Sequence, residues 1–227
     1  MAWYANSSFR WKLGIPLVLL VLLFLYVGLY SVRSSSHLAS NAKTIAKVNL
    51  PEIQLLIQAD RDLYQALTAE RALLSPNLSA QQVATYLKEH KDNLQQAHDR
   101  ALQSIETSDT ATKSEREEYL GYLQNWQRIS ESIVQNASSA DVDTRANLIG
   151  RSLGESFGAF SKARSFLDEL EERRLEHVDE FTTEIEADSD SIARQLLVLL
   201  VLGTLSTFAA AFFLPLLVTV PIKEISD

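Results

Sequence analysis

Apolar positions along the chain follow two kinds of pattern. Two runs carry no charge: Leu13 to Val32, between Lys12 and Arg33, and Gln195 to Ile222, between Arg194 and Lys223. A bilayer core about 30 Å thick takes about 20 helical residues, so each run is long enough to span one. The segment 33–194 between them repeats apolar residues at helical spacing instead. Over about Ser34 to Leu74 the stripe is Ile53, Leu56, Leu63, Leu67 and Leu74. Over about Ala80 to Glu106 it is Val83, Leu87, Leu94, Ala97, Ala101 and Ile105. Over about Lys113 to Gln135 it is Tyr119, Leu123, Trp126, Ile129 and Ile133, and over about Val142 to Arg194 it is Phe157, Phe160, Leu167, Val178, Phe181, Ile185 and Ile192. No strand-like alternation competes. Turn signals fall at Ser75-Pro76-Asn77, Thr107-Ser108-Asp109-Thr110 and Asn136 to Asp141. Short connections join antiparallel neighbours, so the pattern predicts an all-α fold. Its form is an antiparallel up-down-up-down four-helix bundle whose first and fourth helices continue into two transmembrane helices.

The helix lengths do not match. At 1.5 Å per residue the first helix, from Arg33 to Leu74, rises about 62 Å, and Asp141 to Arg194 rises about 80 Å. Either residues 141–150 depart from regular helix or the first helix runs on past Pro76. Gly150, Gly154 and Gly158 recur every four residues. They either admit a close neighbouring helix or soften the helix near its tip, and softening is the reading preferred here.

The first run is longer than the apolar core of a secretory signal and exits through Val32-Arg33-Ser34-Ser35-Ser36 without an A-x-A site. It is therefore read as a retained membrane helix. Arg10, Lys12 and Lys223 flank the outer ends of the two runs, which places both termini in the cytoplasm and the middle segment outside. Trp3, Tyr4, Trp11, Tyr26 and Tyr30 fit interfacial aromatic belts.

Charge narrows the function classes. The chain holds 21 basic and 29 acidic residues for a net charge of −8, and segment 33–194 alone has 18 basic against 27 acidic. Such a domain is a poor binder of polyanions, so nucleic acid is not expected as a partner. Without cysteine there is no disulfide framework, thiol nucleophile or cysteine zinc site. His37, His90, His98 and His177 are scattered, and no metal site, cofactor or catalytic motif is expected. Lys88 to Asp92 and Asp168 to Arg174 read as solvated faces.

A second seam runs beside the apolar stripe of the first helix: Ile57, Arg61, Tyr64, Thr68 and Arg71, at i, i+4, i+7, i+11 and i+14. That spacing suits contact with a partner helix. Two arginines in such a seam call for an anion, and a bidentate carboxylate is the natural answer. The bland alternative pairs Arg61 with Asp62 and Arg71 with Asp60, Glu70 or solvent. Asp60 and Glu70 fall inside the main apolar stripe, and Arg164 interrupts the stripe of the fourth helix. Arg164 either contacts a ligand or pairs internally with these acids. Tyr64 and Phe160 either wall a pocket or belong to the core.

The layout resembles the sensory portion of bacterial transmembrane chemoreceptors, the methyl-accepting chemotaxis proteins. Pro221-Ile222-Lys223-Glu224-Ile225 looks like the opening of a HAMP linker. Leu50-Pro51-Glu52-Ile53, with Ala59 to Ala66 and Ala69-Glu70-Arg71, looks like the first helix of such a sensor domain. The resemblance implies a cytoplasmic tail 1–12, spans at 13–32 and 195–220, a periplasmic sensor domain 33–194 and a truncated HAMP start at 221–227. It further implies a receptor in the bacterial inner membrane and a homodimer meeting along the first helices. Ligand would bind near the distal end, by Arg61, Tyr64, Thr68, Arg71, Phe160 and Arg164. The ligand would be an organic acid, an amino acid or a periplasmic binding protein. Partners would include a kinase and a coupling protein in arrays. The arginine spacing departs from that of amino-acid receptors, which puts an α-amino acid in doubt. Histidine kinases and cyclic-dinucleotide enzymes share this front end, and a ligand-free two-span scaffold is the alternative from another class.

Overall fold

The computed structural model describes the backbone of residues 9–108 and 111–226, and the side chains of 11, 14–108 and 111–213. Trp3, Tyr4 and the tail before Phe9 lie outside the described residues, as do Asp109 and Thr110 of the second turn. The side chains of the proposed HAMP start, 221–227, do so as well. Every regular element among the described residues is helical: α1 (Phe9–Thr44), a π turn (Ile45–Asn49), α2 (Leu50–Leu73), α3 (Ala80–Thr107), α4 (Lys113–Ala137), α5 (Val142–Arg151), a second π turn (Ser152–Ser156) and α6 (Phe157–Ser226). The fold is the expected four-helix bundle.

Local chemistry sets the boundaries. Ser79 caps α3 and Thr112 caps α4, each in a capping box closed by Gln82 or Glu115. Such reciprocal bonds satisfy amide donors that a helix start would otherwise strand. Asp141 caps α5 by accepting from the Thr144 amide. Between α2 and α3 the chain reverses through Asn77, whose φ of 63° is left-handed, a region that asparagine tolerates better than most residues. Arg145 then ties the tip together by donating to the carbonyls of Leu74, Ser75 and Ala140.

The first π turn has a local cause. Pro51 lacks the amide that would bond the carbonyl of Lys47 in a regular helix, and its ring crowds the preceding turn. The Leu50 amide reaches back to Ile45, five residues away, and the helix passes the proline without breaking.

The chain divides into two compact units, one of residues 43–181 and one of residues 1–42 with 182–227. The first holds the core. Leu56, Leu63 and Leu67 of α2 meet Leu94 and Ala97 of α3, Tyr119, Leu123, Trp126 and Ile133 of α4, and Phe160, Leu167 and Leu170 of α6. Burying each large aliphatic side chain contributes about 1.5–3 kcal/mol. Several polar groups inside are answered: the Tyr119 hydroxyl donates to the Ala97 carbonyl at 3.2 Å. Glu115, which closes the capping box of α4, also receives Arg173 at 2.8 Å and Arg174 at 3.3 Å from α6. Arg174 is buried, so the stretch from Asp168 to Arg174 is not wholly a solvated face. His90 is likewise buried inside its charged neighbourhood, 2.7 Å from the Ser130 hydroxyl.

In the second unit, α1 and α6 supply two helices long and apolar enough to cross a membrane. Their apolar side chains, such as Leu22, Leu29, Leu197 and Phe208, are exposed on the chain itself, as lipid-facing residues are. The Tyr30 hydroxyl donates to the Gln195 side chain within this unit.

Two expectations about the distal helices change, and one alternative for the glycines falls away. Residues 142–151 are regular helix, and α2 ends at Leu73 before Pro76, so neither route to equal lengths is taken. A Cβ added at Gly150, Gly154 or Gly158 would meet nothing within 4 Å, so these glycines admit no close helix within this chain. The irregularity lies in the π turn Ser152–Ser156, where the Phe157 amide bonds the Ser152 carbonyl five residues back. Phe157 is 42% exposed and not core, because the extra residue moves the inward face onto Ser152, Ser156 and Phe160. Leu87 is also on the surface, at 38%.

Candidate ligand-binding site

The seam of α2 lies open on the single chain. Leu50, Ile57, Tyr64 and Arg71 recur every seven residues and all are exposed, as are Arg61 and Thr68. The regularity of that row is what a partner helix requires.

The six candidate residues divide between two sides of α2. Arg61 turns to its neighbour Asp62, donating through Nη2 at 2.9 Å and Nε at 3.2 Å. Asp62 is fully buried and also receives Arg100 of α3. A buried carboxylate needs such charge-assisted partners, and Arg61 is therefore half committed to the fold. Thr68 donates its hydroxyl to the Tyr64 carbonyl at 2.8 Å. It borders a groove of about 380 Å³ with Gln65, Ala69, Tyr86, Glu89 and Asn93, on the side of α3.

Tyr64, Phe160, Arg164 and Arg71 gather on the side of α6. The Tyr64 ring meets Phe160 edge-on at 5.0 Å, and the Arg164 guanidinium lies 5.2 Å from the Tyr64 centroid. Phe160 is 1% exposed and wedged between Tyr64 and Trp126, so it is a core residue that supports the Tyr64 ring. Arg164 pairs with Asp60 at 3.0 Å and Asp168 at 3.1 Å. Burial pushes the Asp60 carboxyl above the usual carboxylate range, and Arg164 opposes that shift. Glu171 nearby is raised for the same first reason, with Asp168 adding to it.

Arg71 differs from the other two arginines. Its guanidinium lies over the Phe157 ring, 5.3 Å from the centroid, and among the described residues no carboxylate lies within ion-pair distance of it. Glu70, its sequence neighbour, does not answer it. Glu70 faces inward, fully buried, and accepts hydrogen bonds from the Ser152 and Ser156 hydroxyls, the latter at 2.8 Å. Nor does Glu70 pair with Arg164. Its partners were hidden because two serines on the inward face of a helix carry no sequence signature of their own. Phe157, a member of the apolar stripe, was likewise hidden as a surface residue beside Arg71. Among the described residues no group of three histidine, aspartate or glutamate side chains is placed to hold a metal.

Residues 6–187 match the family described as a four-helix-bundle sensory module for signal transduction. No curated protein and no solved structure matches the chain. A bundle with an internal core, two apolar helices able to cross a membrane and a match over most of its length together place the chain in one family. It belongs to the four-helix-bundle sensory modules of methyl-accepting chemotaxis transducers.

Proposed function

We propose that this protein is the sensory portion of a two-span receptor whose extracytoplasmic bundle binds a small organic carboxylate. Its exposed row along α2 pairs with the same row of a second copy. The observation that carries the reading is Arg71: an exposed guanidinium, 5.3 Å from the Phe157 ring centroid, with no carboxylate within ion-pair distance among the described residues. A planar guanidinium with free donors is suited to bidentate capture of a carboxylate. Tyr64, its ring supported by Phe160, offers a hydroxyl, and a second copy would cover the otherwise open face. Arg164 would contribute only by loosening its pair with Asp60, and Arg61 only by loosening its pair with Asp62. Both therefore stand behind Arg71 as ligand contacts, and Thr68 lies on the other side of the helix. Binding would be relayed along α6 and through a HAMP unit to a cytoplasmic module that controls chemotaxis. A histidine kinase or a cyclic-dinucleotide enzyme is the alternative output.

A panel of mono-, di- and tricarboxylates tests this on the chain in lipid nanodiscs. At least one acid should raise the melting temperature, and the rise should keep growing with the logarithm of its concentration above the dissociation constant. A flat response across the panel would leave a ligand-free scaffold as the better description.

A further inference from the structure

The carboxylate of Glu70 is fully buried, and its two oxygens take hydrogen bonds from Ser152 and Ser156, the first and last residues of the second π turn. Ser156 in turn accepts from Trp126 Nε1 at 3.1 Å, which anchors the arrangement to α4. Glu70 is followed in α2 by Arg71, and the π turn is followed by Phe157, the ring on which Arg71 rests. One turn of α2 thus holds both faces of one irregular turn of the fourth helix, inside by hydrogen bonds and outside by a cation–ring contact. A π turn is an α-helix with one residue too many, and such turns are frequent at functional sites. The Pro51 that accounts for the first π turn has no counterpart here, since no proline lies between 77 and 214. What distinguishes the second is the pair of serines bound to a buried acid.

Resting on the carboxylate-site reading above, we propose that the π turn Ser152–Ser156 is a register switch latched by Glu70. A ligand drawn onto Arg71 and Phe157 displaces this turn of α2, releases the two serines and lets the turn close to α-helical spacing. Closure by one residue changes the register of α5 against α6 by about 1.5 Å of rise and about 100° of rotation, taken up by α5, whose one buried residue is Leu148, while α6 keeps Phe160, Leu167 and Leu170 in the core. The ligand's differential affinity for the two registers supplies the bias, as any two-state element requires.

The latch is tested without ligand by amide hydrogen exchange over residues 150–160, in the 227-residue chain in nanodiscs. Glu70→Gln replaces one of the two accepting oxygens with an amide that cannot accept, and exchange there should quicken about tenfold while α3 and α4 stay within twofold. Deleting Gly154 in the Glu70→Gln protein removes the surplus residue and should return exchange to the original rate. Unchanged exchange in Glu70→Gln overturns the latch. A second arm reads the switch. The chain has no cysteine, so spin labels can be placed at Asn147→Cys and Lys162→Cys alone. With succinate or citrate, the interlabel distance should change in the parent and stay fixed in the Gly154 deletion. An equal change in both overturns the switch. If neither acid binds, the carboxylate reading has failed for them, and the exchange arm decides the latch by itself.

Discussion

The guanidinium of Arg71 lies 5.3 Å from the centroid of Phe157, and the two residues come from helices that meet near the turn between α2 and α3. The ring attracts the cation by about 0.5–1 kcal/mol, as at an exposed site, without using its hydrogen-bond donors. Arg71→Ala should therefore abolish the carboxylate-dependent rise in melting temperature and weaken binding by more than about tenfold, without loss of helicity. Arg71→Lys should restore part of it at best, because an ammonium lacks the planar fork. Titration calorimetry with the best acid of the panel measures both, and full binding by Arg71→Ala would remove Arg71 from the site.

Asp62 separates a structural arginine from an accessory one. Arg100 has 25% of its side chain exposed and Arg61 has 54%, and both reach the same buried carboxylate. Asp62→Asn should cost about 2–3 kcal/mol, since it leaves a partly buried guanidinium unanswered. Arg100→Ala should approach that loss, and Arg61→Ala should cost less than about 1 kcal/mol. Urea unfolding of the three variants supplies the ranking.

His90 gives the bundle a pH dependence of known sign. Burial lowers its pKa below the ordinary 6.5, and the nearby charges of Glu70 and Glu131 only partly restore it. The unfolded chain thus takes up a proton at higher pH than the native one, and stability falls as pH drops through 6.5 toward the lower native value. Asp60 acts oppositely and later: its pKa is raised above 3.8, so protonation relieves a cost as pH falls toward that value. His90→Gln should flatten the melting-temperature profile between neutral and mildly acid pH. A slope unaffected by that change would place the sensitivity elsewhere.

Gly121 sits within α4, and a Cβ built there would meet nothing within 4 Å. Gly121→Ala should stabilise the bundle by about 0.5–1 kcal/mol through reduced unfolded-state freedom, visible as a higher urea midpoint at constant slope.

Much of the bundle was legible because its signals are local and periodic. All five stripe residues of α4, Tyr119 to Ile133, are core, and so are Ile53, Leu56, Leu63, Leu67 and Leu74. Lys113 and Val142 mark the first residues of α4 and α5, as the turn chemistry predicted. The tip of the fourth helix was illegible for a physical reason. A π turn changes only which carbonyl an amide reaches, so composition does not announce it, while the phase of every later side chain changes. Phe157 was lost to the surface in this way, and Ser152 and Ser156 were gained by the core. Arg164 with Asp60 and Arg61 with Asp62 had been recognised as alternatives to ligand contact, and both pairs are present. Asp62 as the buried hub, with Arg100 reaching it from a helix 38 residues away, needed the tertiary fold to be seen.

Glu115 stands at the other end of the bundle, closing the first turn of α4 while Arg173 and Arg174 of α6 grip its two oxygens. A carboxylate that caps one helix and clasps another behaves as a rivet. Any stroke of α6 along its axis is loaded onto the first turn of α4, so those two helices travel as a pair. Sliding is then confined to the seams they share with α2 and α3, where aliphatic side chains can slip without tearing a charge from its partner.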